Sequence, residues 1–214
     1  MNIENNPEIE IEHVKLTALF KSLAASVNEQ FSDVKNSITH WEHSLGPTQE
    51  FIPYELIIPS ISKQGKKLKT LTESNKKSKN LISYGFNQHN KLVIAIKNYG
   101  GDADRFGVNA RFLQELDGET YILNAHLFEK SPDESKLISA CKIHNRETHI
   151  QYISVTPPHD RYVRIDEIID EKIVSTLTWA TSWFKPLHYT LTYDNNNQLS
   201  KVMIDGRSHW SYIP

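Results

Sequence analysis

The chain is poor in cysteine, in long apolar runs and in excess charge of either sign. Its one cysteine, Cys141, cannot close an intramolecular disulfide, so the fold is not stapled for an oxidising compartment. No apolar run approaches the ~20 residues that a membrane-spanning helix needs. The opening MNIENNPEIEIEH is acidic and lacks the basic start and apolar stretch of a secretory leader, so a cytosolic protein is expected. A net formal charge of −2 offers no bulk attraction to nucleic acid or to an anionic membrane, and neither is expected as a partner. Absent too are the G-x-S-x-G nucleophile turn, the phosphate-binding loop and the G-x-G-x-x-G dinucleotide pattern. No catalytic residue, metal or cofactor is therefore assigned, and a protein that is not an enzyme is expected.

What is present is patterning. Hydrophobic residues make up 38% of the chain and charged residues 23%, enough to fold, and 214 residues suit a single domain over 1–214. Leu16, Phe20, Leu23, Val27, Phe31, Val34, Ile38, Trp41 and Leu45 step by threes and fours, which predicts one amphipathic helix over 16–45 after a frayed lead-in at 1–12. Gly46-Pro47 is its stop signal. The same spacing also suits a helical dimer seam, so monomer and dimer both stay open. Residues 51–80 read as an irregular edge segment followed by a lysine-rich loop, because Pro53 and Pro59 cannot donate to a strand ladder. That loop carries Lys63, Lys66, Lys67, Lys69, Lys76, Lys77 and Lys79 against Glu73, about +6 locally, which leaves about −8 for the remainder.

From 81 to 213 the pattern changes to alternating strands joined by polar turns near Gln88, Gly118, Arg146, Asp170 and Asn196. Asp117-Gly118 favours the positive φ of a tight hairpin. The predicted fold is α+β: a long N-terminal helix packed on a strongly curved, mostly antiparallel meander of about ten strands, since so many strands cannot stay flat.

Candidate chemistry is thin. His40 and His43, three apart on the predicted helix, and His144 and His149, on two arms of one hairpin, are at most two-ligand beginnings of a metal site. Cys141 sits mid-strand as apolar filler. Gly100 to Gly107 holds an Asp-x-Asp like a calcium loop but no glutamate at the required spacing. Seven lysines without interleaved aromatics supply charge without base stacking. Trp179, Trp183, Phe184, Tyr189, Tyr193, Trp210 and Tyr212 crowd the last third of the chain, as the thick end of a core or as anchors of a binding surface.

Two strings, YGFNQHNKLVIAI (Tyr84 to Ile96) and YTLTYDNNNQLSKVMIDG (Tyr189 to Gly206), resemble the tyrosine-aspartate hairpin, roughly Y-x-Y-D-x-x-G-x-L, of Rhs-type proteins. They are also similar to hairpins of the small immunity proteins encoded beside polymorphic bacterial toxins of the Rhs, contact-dependent or type VI kind. The first unit has Phe86-Asn87 for Tyr-Asp and Asn90 for Gly, the second has Asn197 for Gly, and the hairpins between lack the motif. The resemblance implies a cytosolic inhibitor that occludes a cognate toxin domain and has no catalytic residues of its own. An acidic body would pair with a basic toxin, making Asp102, Asp104, Asp166, Glu167, Asp170, Glu171, Trp183 and Trp210 the candidate partner contacts. The alternative expectation is a lipid or small-ligand binding protein with a pocket between curved sheet and helix. A hydrolase or metal enzyme assembled from dispersed His, Asp and Cys141 is the third.

Overall fold

The computed structural model describes residues 3–99, 107–158 and 160–212. Helix α1 spans Pro7–Ala25 and α2 spans Val27–Asn36. The Asn6 side chain accepts from the Glu8 and Ile9 amides, Pro7 opens the helix, and Glu8 and Glu10 complement its positive end. This start lies inside the expected lead-in, and Ile3 and Ile9 are both buried. The helical stretch is interrupted at Ser26 and ends at Ser37. His40–Leu45, predicted as the end of the helix, is instead strand β1, paired along its whole length with β3 (Leu81–Phe86). A complete strand ladder outweighs a weak helical period here, and β1 keeps only Ser44 buried.

The other strands are β2 (Lys66–Lys67), β4 (Leu92–Tyr99), β5 (Gly107–Leu116), β6 (Glu119–Phe128), β7 (Lys136–Asn145), β8 (His149–Thr156), β9 (Asp160–Ile169), β10 (Lys172–Ala180), β11 (Leu187–Tyr193), β12 (Leu199–Ile204) and β13 (Arg207–Ser211). A short helix, α3, covers Glu73–Lys76. The described strands form one open antiparallel sheet of thirteen in the order β13-β12-β11-β10-β9-β8-β7-β6-β5-β4-β3-β1-β2. Thirteen strands form where about ten were expected, and β1, expected as helix, is the addition that the sequence did not suggest. Lys66 and Lys67 form one outer strand, and a charged, two-residue edge resists pairing with another chain.

Strand alternation gives the sheet two faces. On one, α1 and α2 pack Leu16, Leu23 and Val27 onto Ile94, Phe112, Leu123, Leu127 and Ala140. Ile38 lies against Gly85, where a Cβ would come within 2.6 Å of its Cδ1. Glu10 pairs with Arg161, and Glu12 bonds Lys142 at 2.9 Å, so the outer face of α1 is also tied to β7 and β9.

The opposite face holds residues 47–64, which include the start of the 51–80 segment expected at a sheet edge. They form a loop whose ends meet: Gly65 N donates to Pro47 O at 2.7 Å, and a Cβ on Gly65 would fall 2.3 Å from the Gly46 carbonyl. The loop reaches from β1 to β13, where His209 Nε2 lies 2.8 Å from Ile57 O. On a flat sheet those strands would stand roughly 50 Å apart, at about 4.8 Å per step. Twelve residues from Leu45 to Ile57 cover at most ~42 Å fully extended, and these are folded into turns such as Ile58 N to Tyr54 O. The sheet must therefore bend around the loop, which lies in a trough.

Polar groups fix the loop there. Glu50 accepts from the Tyr54 and Leu56 amides, Glu55 accepts from the Phe51 amide and pairs with Arg111 at 2.7 Å, and Tyr189 Oη donates to Pro59 O at 3.1 Å. At the centre Arg164, 1% exposed, donates from Nε to Asp166 Oδ1 at 2.7 Å and from Nη2 to Pro53 O. Burial raises the Asp166 pKa against the pull of Arg164 and Thr176, and the same carboxylate holds Arg164 above its ordinary value despite burial.

Two outcomes follow. Arg164→Met leaves a buried carboxylate unpaired and frees the loop carbonyl, so urea unfolding should show a loss of about 3–5 kcal/mol, much of it recovered when Asp166→Leu is added. For Glu12, burial favours the neutral form, but hydrogen bonds and charge from Lys15 and Lys142 outweigh it and lower its pKa from 4.5 to about 2. A depressed folded-state pKa means stability present above pH 4.5 and lost as pH falls towards about 2. Glu12→Gln should flatten acid-induced unfolding in that window.

Candidate functional site

The two ends of the sheet differ. At one end lie the tight turns joining β3–β4, β5–β6, β7–β8, β9–β10 and β11–β12. At the other lie the two-residue β12–β13 turn and the longer connections, including 181–186. In the β3–β4 turn the Asn87 Oδ1 accepts from His89 N and Lys91 N; in the β11–β12 turn the Asp194 Oδ1 accepts from Asn196 N and Gln198 N. Asn90 at φ 58° and Asn197 at φ 62° take the position that glycine holds in the tyrosine-aspartate motif. A register shift precedes each turn, between Gly85 and Phe86 and between Thr192 and Tyr193. The two hairpins thus share one turn geometry.

On the tight-turn end the helix-bearing face of the sheet is left uncovered beyond α1. Along β11 on this face, from His188 beside the 181–186 connection to Thr192 beside the tight turn, His188, Thr190 and Thr192 are exposed, while Tyr189 and Leu191 between them are buried in the trough. A groove of about 590 Å³ lies between Ile165, Leu177, His149 and His188, with Glu167 and the half-exposed Ile169 on its margin. The β7–β8 turn leans on it through Ile168 N donating to Thr148 O at 2.8 Å. Glu167 lines it, and the adjoining β7–β8 and β9–β10 turns carry Glu147, Asp170 and Glu171 with Arg146 and Lys172 beside them. Asp170 and Glu171 both adopt positive φ, 50° and 63°, as a two-residue turn between twisted strands requires. An apolar floor with a charged rim is the make-up of protein-binding surfaces.

The structure brings together only part of the expected contact set. Glu167, Asp170 and Glu171 are exposed neighbours at this rim, with Glu167 accepting from Ser175 Oγ at 2.8 Å. Asp166 is wholly buried in the trough, because strand alternation turns it away from Glu167, and it offers no surface to a partner. Trp183 stands at the opposite end of β10, half-buried and edge-to-face with Tyr162 at 6.0 Å, so it does not join the acidic rim. Trp210 packs with Ile58, Tyr189 and Val202 under the loop. Asp102 and Asp104 lie outside the described residues. Of the aromatic crowd, Phe184 and Tyr212 are the exposed members, while Tyr189 and Tyr193 are held by hydrogen bonds in the trough.

The residues considered for metals and nucleophiles are placed structurally. His40 stacks on Phe86 at 4.8 Å, and His43 Nδ1 lies 2.9 Å from Ser83 Oγ, both on a strand rather than a helix. His144 lies 3.4 Å from Glu12, while Gln151 lies between it and His149 along the face. Burial lowers the pKa of His43 and His144. No group of three or more His, Cys, Asp or Glu among the described residues is placed to hold a metal ion. No helix among them is long and apolar enough to cross a membrane. Compared with protein-family models, with curated proteins and with solved structures, the chain matches none.

The groove was missed in the sequence because its walls come from four successive strands, with contributors spread from His149 to His188. The signal that pointed to it was the acidic pair at 170–171 after an apolar Ile168-Ile169. Cys141, packed with Ile122, Tyr152 and Ile52, has its thiol pushed up to about 11 by burial. It should resist iodoacetamide at pH 8 in the folded protein and react fully in 8 M urea, scored by intact mass; equal rates in both would disprove its burial.

Proposed function

We propose that the protein is a cytosolic, non-enzymatic binding protein that neutralises a cognate bacterial toxin domain by occluding it. The observation that carries this reading is the uncovered groove lined by Ile165, Leu177 and Glu167, with Glu147, Asp170 and Glu171 in the turns that adjoin it. Carboxylates at a rim steer a basic partner and screen out acidic ones, while the apolar floor holds it once docked. The paired hairpins Tyr84–Ile96 and Tyr189–Gly206, similar to those of toxin immunity proteins, support the same reading. An inhibitor of this type needs a rigid surface, which strands braced from behind by the loop provide.

The reading is tested by capture and protection together. A partner recovered from host lysate should be the C-terminal domain of a large secreted protein, should arrest growth when expressed alone, and should be harmless when this chain is co-expressed. A stoichiometric partner that is not toxic would overturn the toxin assignment. With that partner, the triple variant Glu167→Lys, Asp170→Lys, Glu171→Lys should associate about tenfold or more slowly at low salt, with the difference shrinking at high salt. An unchanged association rate in the folded variant would remove the rim from the interface.

A further inference from the structure

The trough contains a second cavity, at the end of the sheet away from the acidic turns. It holds about 460 Å³ between the loop, through Pro47, Phe51 and Leu56, and the floor made by β3 to β7. The floor is polar in one row and mixed in the next. Lys97, Asn109 and His126 are cross-strand neighbours on β4, β5 and β6, and Ala95, Arg111 and Asn124 form the row beside them. Ile82 and Ile138 flank these rows, so the cavity has an apolar body and a polar end.

Its electrostatics are not balanced. Arg111 is neutralised by Glu55 and lies under the Phe51 ring, 5.1 Å from its centroid. Lys97 is exposed and makes no ion pair among the described residues, so the cavity presents one uncompensated cation at its polar end. Asn124 Nδ2 is spent on Ser139 Oγ at 2.7 Å. Asn109 Oδ1 and Arg111 Nε are shut off from solvent without hydrogen-bond partners, a cost of about 1–3 kcal/mol each in a folded protein. Both atoms are sealed beneath the cavity floor, so what the cavity offers a ligand is its volume, its apolar walls and Lys97.

We infer that this cavity is a binding site for a small amphipathic organic anion, with its acidic group at Lys97 and its apolar body between Phe51, Leu56, Ile82 and Ile138. A carboxylate or sulfonate on an aromatic or short aliphatic body matches the volume and the single spare charge. A neutral lipid leaves Lys97 unmatched, and a di-anion exceeds the charge offered. The site lies on the face opposite the helices, unlike a pocket between sheet and helix, and it does not depend on the toxin reading.

The probe is 8-anilinonaphthalene-1-sulfonate, which joins a sulfonate, an N–H donor and an aromatic body, titrated by fluorescence into the purified chain. Saturable one-to-one binding is expected, weakened about tenfold at low salt by Lys97→Glu, whose exposed position keeps the fold intact. Asn109→Leu, which removes the orphaned acceptor and narrows the cavity, should weaken binding further while leaving the melting temperature equal or higher. Leu177→Glu in the other groove should leave it unchanged. Binding insensitive to Lys97→Glu and Asn109→Leu, binding lost with Leu177→Glu, or no saturable binding would each overturn the assignment. Because only the isolated chain is used, failure here would not bear on toxin neutralisation, and loss of the toxin partner would not bear on this site.

Discussion

An irregular loop buried in a sheet's trough must find partners for every N–H and C=O that no ladder satisfies, and the rest of this structure follows from how that is done. A regular strand laid in the same place would bond its neighbours; residues 47–64 have none. Their backbone groups are met partly by turns within the loop, such as Ile58 N to Tyr54 O and Ser62 N to Leu56 O, and partly by side chains: Glu50 and Glu55 from within, and Arg164, Tyr189 and His209 from the sheet. Arginine at 164 is then explained, since it reaches the Pro53 carbonyl from β9 while its charge is met by Asp166 and its plane lies over Tyr152. Buried ion pairs of this kind cost more to desolvate than they return, so their value lies in fixing one loop position among many.

That division of labour decides which surface stays open. The helices cover β4 to β9 on one face, and the loop fills the other from β3 to β13, so little uncovered sheet remains beyond the helix-face positions of β10 to β12. The loop-filled face retains one cavity because its floor there alternates small and polar residues, Ala95, Asn109 and Asn124, where a leucine row would have closed it. A groove on one face and a cavity on the other, at opposite ends of the strands, are thus by-products of a single packing problem.

Local patterns were legible in the sequence. The turns near Gln88, Gly118, Arg146, Asp170 and Asn196 sit where the polar breaks placed them, and Leu16 through Ile38 form the stripe that meets the sheet. Reading failed where a period persisted across a change of structure. Trp41 and Leu45 continue the three-four spacing, yet they belong to β1, since six backbone pairs with β3 are invisible to a helical wheel. Asn6-Pro7 was a readable helix start, overlooked beside the polar lead-in. Asp166 and Glu167 looked alike as neighbouring carboxylates, but period two sends one into the trough and the other to solvent. Burial of Asp166 depends on Arg164 and on a loop more than a hundred residues earlier, and no local pattern carries that.

The distribution of charge gives the open groove its orientation. The lysine run lies along the β2 edge, and α3 is held near the long-connection end by Asn98 Nδ2 donating to the Lys76 carbonyl. Part of it is already neutralised, Lys67 by Glu42 and Lys76 by Glu73. The tight turns, by contrast, place Glu115, Asp117, Glu119, Glu147, Asp170, Glu171 and Asp194 at the far end. A net charge near zero therefore hides a polar molecule, acidic at one end of its strands and basic along one edge. Such a field turns an approaching basic surface towards the tight turns before any contact forms, and it repels that surface from the lysine edge. The groove opens on the side of those turns, so charge and packing agree on the surface proposed for the partner.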